Sequence, residues 1–378
     1  MVILVAGDFC PRYRVAEIFE HRDYKSVLGD VKDVITDADY SIANLECPIT
    51  NGEEQPIEKC GPNLQFSEKG IEALKWAGFD CVTLANNHLL DYGKDGVKHT
   101  IETCAKFDLD SVGGGMNLKE ASRILYKEID GKTIAIVNCC EHEFSIATEE
   151  NAGSNPLNPI LQYYAIKDAR TKADFVLVIV HGGHEYYQLP SPRMQELYRF
   201  FIDAGADVVI NHHQHCYSGY EEYHKGLIVY GIGNFCFDDV IKREGVWTKG
   251  YFIKLFFDEI IRFELIPYEQ CSTLPQVRLI TNENRKPFDC KISEINKIIG
   301  DYGKLNKEFL LFSKKRYPDI LISLMPYRLR IFKALATRHF IPSFISKKRT
   351  LLLKNYLECE AHYDTFVNYL NSVLKSYE

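Results

Sequence analysis

The chain has 378 residues, a hydrophobic fraction of 46% and a formal net charge of −7. That is enough apolar material for one large domain and a smaller one, and it excludes a disordered chain. No run of about 18 apolar residues occurs, so no membrane span is expected.

The opening stretch "MVILVAGDFCPRY" has no basic start and reads as a first strand rather than a secretory signal. The twelve cysteines contain no C-x-x-C pair. They read as reduced, mostly buried thiols of a cytoplasmic protein.

Along the chain, Val- and Ile-rich runs predict strands over 2–9, 40–46, 81–86, 133–140, 175–182 and 208–211. Amphipathic spacing predicts helices over 67–78, 96–107 and 192–205, the first capped by Ser67 and stopped by Gly78. Such alternation predicts an α/β layered domain. The runs 226–235, 251–257 and 261–268 follow closely and predict an antiparallel addition to its sheet. The polar stretch 141–159 reads as a long loop, either lying over a site or making an ordinary surface connection. After about residue 280 the texture becomes helical without strands. The expected division is a main domain over 1–270 and a helical C-terminal extension over 271–378. Between Lys314 and Lys354 stand eleven Lys or Arg and one acidic residue, Asp319. This segment carries about +10 and leaves about −17 for the rest. It is either a membrane-surface or anionic-polymer contact or a solvated helical face.

Ligand-capable residues recur where the predicted strands end. Asp8 closes the first strand, Asn44 and Glu46 the second, and Asn86, Asn87 and His88 the third. His181, then His184 and Glu185, close a later strand, and "VVINHHQHC" delivers His212, His213 and His215. Ligands gather at strand carboxyl ends in open α/β sheets. Singly, each residue has a bland reading: Asp8 a helix cap, Asn86-Asn87 a turn, His181 a core histidine. Their convergence on one rim favours a site. Two carboxylates, an amide oxygen and three imidazoles suit a pair of borderline divalent metals such as Mn, Fe or Zn. Thiolates are absent from this set, which argues against a structural zinc site. His88 is best spared from ligation, free to protonate a leaving oxygen, with Asp91 as a candidate to orient it. Asn44, Glu185 and His212 are candidate substrate-binding groups.

"GD", "NLE", "ANNHLLDYG", "HGGHEYY" and "NHHQHCYSGYEEYHKGLIVYGIGNFCFD" occur in the order found in the CapA family. That family, associated with capsule and poly-γ-glutamate synthesis, lies within the calcineurin-like metallophosphoesterases. The resemblance spans roughly residues 1–270. It implies a four-layer α/β/β/α sandwich with a two-metal site at one sheet rim. Carried over, it implies Asp8, Glu46, Asn87, His181, His213 and His215 as metal ligands and His88 as the catalytic histidine. Three departures stand out. Cys10 stands where the superfamily has a histidine ligand, Gly183-His184 follow His181 where W-G is usual, and Asn211 and Gln214 replace Gly and Pro. The pattern also implies that His213 and His215 bind metal. On an extended segment His212 would then point away, to the interior or an acidic partner.

Two functions follow. The first is a metal-dependent hydrolase of a phosphoester or related anionic substrate, small molecule or polymer. The second is a non-hydrolytic accessory protein that binds an anionic polymer in capsule synthesis. No nucleic-acid partner is expected.

Overall fold

The computed structural model describes residues 1–323 continuously, and beyond them 334–335, 338, 340, 347–358, 362, 370 and 374. The chain divides into two compact units, Met1–Phe309 and Leu310–Glu378. Of the basic segment 314–354, residues 324–333, 336–337, 339 and 341–346 lie outside the described residues.

The first unit is built on two sheets. In the larger, β1 (Val2–Phe9), β2 (Tyr40–Leu45), β3 (Cys81–Thr83) and β4 (Asp110–Val112) run parallel. On the other side of β1, β14 (Lys249–Phe256), β15 (Arg262–Gln270) and β16 (Val277–Leu279) add antiparallel. In the smaller, β7 (Lys132–Cys140), β9 (Phe175–His181), β10 (Val208–His212) and β12 (Gly226–Val229) run parallel. Its edges are the antiparallel strands β6 (Leu125–Ile129) and β11 (Tyr220–Tyr223).

Strand alternation sends successive side chains to two cores. Ile3, Val5 and Ile42 meet Ile134, Ile136, Leu177 and Val208 between the sheets. Leu4, Ala6 and Ala43 face the other way, onto Phe19, Ile71, Leu74 and Val97. Those four residues come from helices α1 (Tyr13–Glu20), α4 (Lys69–Ala77) and α5 (Gly93–Lys106). Helices α7 (Pro159–Lys172) and α8 (Pro192–Ala204) cover the far face of the smaller sheet through Ile166, Tyr198 and Phe201. The result is the four-layer α/β/β/α sandwich, with roughly 1.5–3 kcal/mol from each large apolar side chain buried. Buried Asn138 ties the sheets together. Its Oδ1 accepts from Ala85 N at 2.8 Å and its Nδ2 donates to Ile179 O at 3.0 Å.

Three local expectations change. Ser67 does not cap α4: its hydroxyl donates to Glu20 Oε1 at 2.6 Å, while the helix does stop at left-handed Gly78. The run 226–235 is two strands in different sheets. β12 pairs with β10, whereas β13 (Asn234–Cys236) pairs with β1 after the chain crosses through Gly231 and Gly233. Helix α7, unanticipated, is nucleated by Asn158, whose side chain accepts from Ile160 N and Leu161 N, with Pro159 in its first turn. Beyond residue 280 the described elements are helices, including α9 (Arg285–Ile299), which packs into the first unit's inter-sheet core through Phe288, Ile292, Ile295 and Ile299.

Candidate metal centre

β1 and β2 run parallel in one sheet and β9 and β10 in the other, and their carboxyl ends bring polar residues to one rim. Asp8 reaches it because β1 and β13 approach closely at Gly7, where a Cβ would stand 1.8 Å from Gly233 O. Any side chain there would push the strands apart. Asp8 is fully buried. Its Oδ1 accepts from Asn44 Nδ2 at 2.8 Å and lies 3.2 Å from His212 Nδ1, and its Oδ2 accepts from His213 N at 3.3 Å. Burial pushes this carboxyl up, but the His212 hydrogen bond and the charges of His212, His181 and His215 outweigh it and hold it low.

Glu46, just past β2, is the reverse case. It too is fully buried, yet neither carboxyl oxygen has a hydrogen-bond partner. Burial first, then repulsion from Asp8, pushes its carboxyl well up. His215 Nε2 lies 3.5 Å and His181 Nε2 3.9 Å from its Oε1. Glu46, His181 and His213 form one group of converging ligand atoms, and Asp8, Glu46 and His215 another, each within 4.8 Å. Burial also lowers His181 and His215, keeping the imidazoles in the neutral form that binds metal. An orphaned carboxylate among neutral imidazoles is costly alone and favourable around a cation. The residues therefore fit a borderline divalent ion.

The histidine turn is not extended. β10 ends at His212, and His213 and His215 take positive φ of 87° and 52°. Such strain in non-glycine residues is typical of functional sites. Alternation therefore does not turn His212 away: it meets an acidic partner, and that partner is Asp8 itself. The departures at 211 and 214 brace the turn. Asn211 Nδ2 donates to Gly182 O at 2.8 Å and reaches Gln214 Oε1 at 3.4 Å, while Gln214 Nε2 donates to Tyr187 O at 3.0 Å.

Asn86 is the turn residue of its pair, its Oδ1 accepting from His88 N at 2.9 Å. Asn87 enters the site, with Oδ1 3.1 Å from His181 Nε2. His88 Nδ1 lies 2.6 Å from Asp91 Oδ2. Lys59, which no motif singles out, has its side chain buried beside them, ion-paired with Asp91 and 3.2 Å from His88 Nδ1.

Two of the three candidate substrate groups are placed differently from that expectation. Asn44 and His212 sit behind Asp8 and hold it, 1% and 2% exposed. Glu185 is exposed, and its charge is felt by Glu46 and His215. Cys10 is turned into the helix-side core beside Cys47. The stretch 141–159 does reach the site, through Glu143 on Asn87 Nδ2 at 2.7 Å and Ser154 Oγ on Asn86 O at 2.8 Å. Asn234 was missed although it stands inside "GNFCFD"; its Oδ1 is 2.9 Å from His215 Nδ1.

Residues 2–239 match the family described as bacterial capsule synthesis protein PGA_cap. The chain belongs to this family. It is 35% identical over 246 residues to the capsule biosynthesis protein CapA of Bacillus anthracis, covering 63% of this chain and 60% of that one. It is 33% identical over 235 residues to the PGA biosynthesis protein CapA of Bacillus subtilis, covering 61% and 62%. The match thus spans about three-fifths of these relatives' length. Among solved structures, a novel phosphatase from Mycoplasma pneumoniae aligns with TM-score 0.47 and 16% identity, over 72% of this chain and 95% of that one.

Proposed function

We propose that this PGA_cap family member is a metal-dependent hydrolase of a phosphoester or related anionic substrate, serving capsule or poly-γ-glutamate metabolism. What supports the reading is the pair of buried ligand groups that share the partnerless carboxylate of Glu46. His181 and His213 with Glu46, and the amide oxygen of Asn87, would hold one divalent cation; Asp8, Glu46 and His215 would hold a second. A bound pair would polarise a phosphoryl group and activate water. Around it, Asn44 and His212 fix Asp8, and Asn234 orients His215. His88 would protonate the leaving oxygen, its ring oriented by Asp91, which Lys59 holds in turn. The test is recombinant protein with manganese against a panel of phosphoesters. Chelator-sensitive turnover is expected; none on any member, with metal verified as bound, rejects the reading.

A non-hydrolytic accessory role is favoured by one observation: Cys10 faces the core and offers no ligand where the superfamily has one. Tight binding of an anionic polymer by metal-loaded protein without turnover is its signature. A contact of 314–354 with polymer or membrane surface belongs to this proposal.

A further inference from the structure

His215 is not open to solvent on all sides. Its ring is ringed by Trp247, Phe237 and Tyr186, with centroids 5.0, 5.3 and 6.2 Å away. Trp247 and Phe237 are buried, whereas Tyr186 is 39% exposed, so the collar has an outer lip. Two cations stand on it. Lys242 Nζ lies 4.4 Å from the Trp247 ring centroid and 4.5 Å from that of Tyr186, and donates to the Tyr186 hydroxyl. The Arg12 guanidinium lies 4.7 Å from the Tyr13 centroid and 6.0 Å from that of Phe237, and donates to the Tyr13 hydroxyl at 3.0 Å.

The neighbouring Arg14, in the first turn of α1, shows what a structural arginine looks like here. It is paired with Asp238 through a 2.6 Å contact and bonds three backbone carbonyls as well. Among the described residues Lys242 and Arg12 have no such carboxylate pair, and each is held only by a phenol and ring faces. An ammonium offers three donors and a guanidinium five, so both keep donors unspent. Asp239 spends its Oδ1 on the Ile241 and Lys242 backbone amides. Against burial, those amides and then the charges of Lys242 and Arg12 hold its carboxyl low, but neither cation forms an ion pair with it. Glu185 is exposed.

We propose that Lys242 and Arg12, set on this aromatic collar, form a subsite for a second anionic group of the substrate. The ligand then carries one anionic head at the candidate metal centre and another, carboxylate or phosphate, at the lip. The spacer between them is short and passes along the rings. This inference rests on the metal-centre reading above and adds a substrate class to it.

The test uses the full chain loaded with manganese. Trp247 is the reporter, in a Trp76→Phe background, because the chain has two tryptophans. Three probes carry the same four-carbon spacer on a phosphonate head: butylphosphonate, 5-phosphonopentanoate and butane-1,4-bisphosphonate. The two-headed probes are expected to bind at least about 10-fold tighter than butylphosphonate, the scale of one charge-assisted contact. The stronger of the two names the second head as carboxylate or phosphate. In the Lys242→Met, Arg12→Met variant that preference should collapse to about one at unchanged metal content. Equal affinity for all three probes, or a preference that survives the double substitution, overturns the subsite. A clear preference without turnover on any phosphoester keeps the subsite and rejects the hydrolase reading. Turnover without preference does the opposite.

Discussion

Glu143 Oε2 accepts a hydrogen bond from Asn87 Nδ2 at 2.7 Å, which leaves the amide oxygen of Asn87 facing His181 Nε2 at 3.1 Å. The carboxylate decides which end of the amide the centre meets. Removing it with Glu143→Ala should lower metal affinity by about 10–100-fold, the usual cost of losing a group that orients a ligand. Melting temperature in chelator should barely move, because Glu143 is exposed. Manganese titration followed by calorimetry checks this; unchanged affinity would show that Asn87 needs no orientation.

The three histidines of the turn should separate by metal content. His213→Ala and His215→Ala each remove a member of a ligand group and should leave purified protein largely without metal. His212→Ala loosens Asp8 without deleting a candidate ligand, so affinity should fall by about 10–100-fold and not vanish. Metal analysis of the three purified variants decides. Loss with His212 and retention without His213 would reverse the assignment.

His88→Ala should keep its metal and lose about 10²–10⁴-fold in turnover, as expected for a lost proton donor. Its support has a separate cost. Lys59 and Asp91 are 2% and 0% exposed at the side chain. Asp91→Ala strands a buried ammonium and should cost about 3–5 kcal/mol. Adding Lys59→Met should recover most of that. Denaturant melts of the single and double variants measure it, and additivity would mean the pair is not coupled.

Glu46 gives a pH signature. Its folded-state carboxyl is raised, so the metal-free fold holds a proton that the unfolded chain releases near 4.5. The sign follows: this group's stabilising contribution is present at low pH and is lost as pH rises through the raised folded value. In chelator, Glu46→Gln should therefore match wild type near pH 4 and melt higher at pH 8, by roughly 1.5 °C for each kcal/mol recovered. With manganese the order should reverse, because the variant has lost the shared carboxylate. A variant no more stable than wild type in chelator at pH 8 would show that the buried carboxyl carries no penalty.

Much of this was legible in the sequence. Parallel strands buried on both faces read as unbroken Val and Ile runs, so β1, β7, β9 and β10 could be placed to within a residue or two. The rim ligands followed from where those runs stop. Other features left no local signal. Helix α7 buries only Gln162, Ile166 and Ala169, too narrow a stripe to announce a helix. Lys59 sits in an irregular polar loop and acquires its meaning from residues about 30 positions away. The left-handed His213 and His215 defeat any alternation argument, because backbone strain at a site is imposed by tertiary packing.

Asn138 bridges the two sheets beneath the rim, holding Ala85 on one side and Ile179 on the other. The candidate ligands are divided in the same way: Asp8 and Glu46 follow strands of the larger sheet, and His181, His213 and His215 come from the smaller. On the function proposed above, the cleft that an ion would span is a gap between two slabs, with the amide of Asn138 as a spacer beneath it. Ion-size preference would then be a property of the deep interior. A core substitution that shifts one slab by a few tenths of an ångström would retune the choice among manganese, iron and zinc without touching a single coordinating atom.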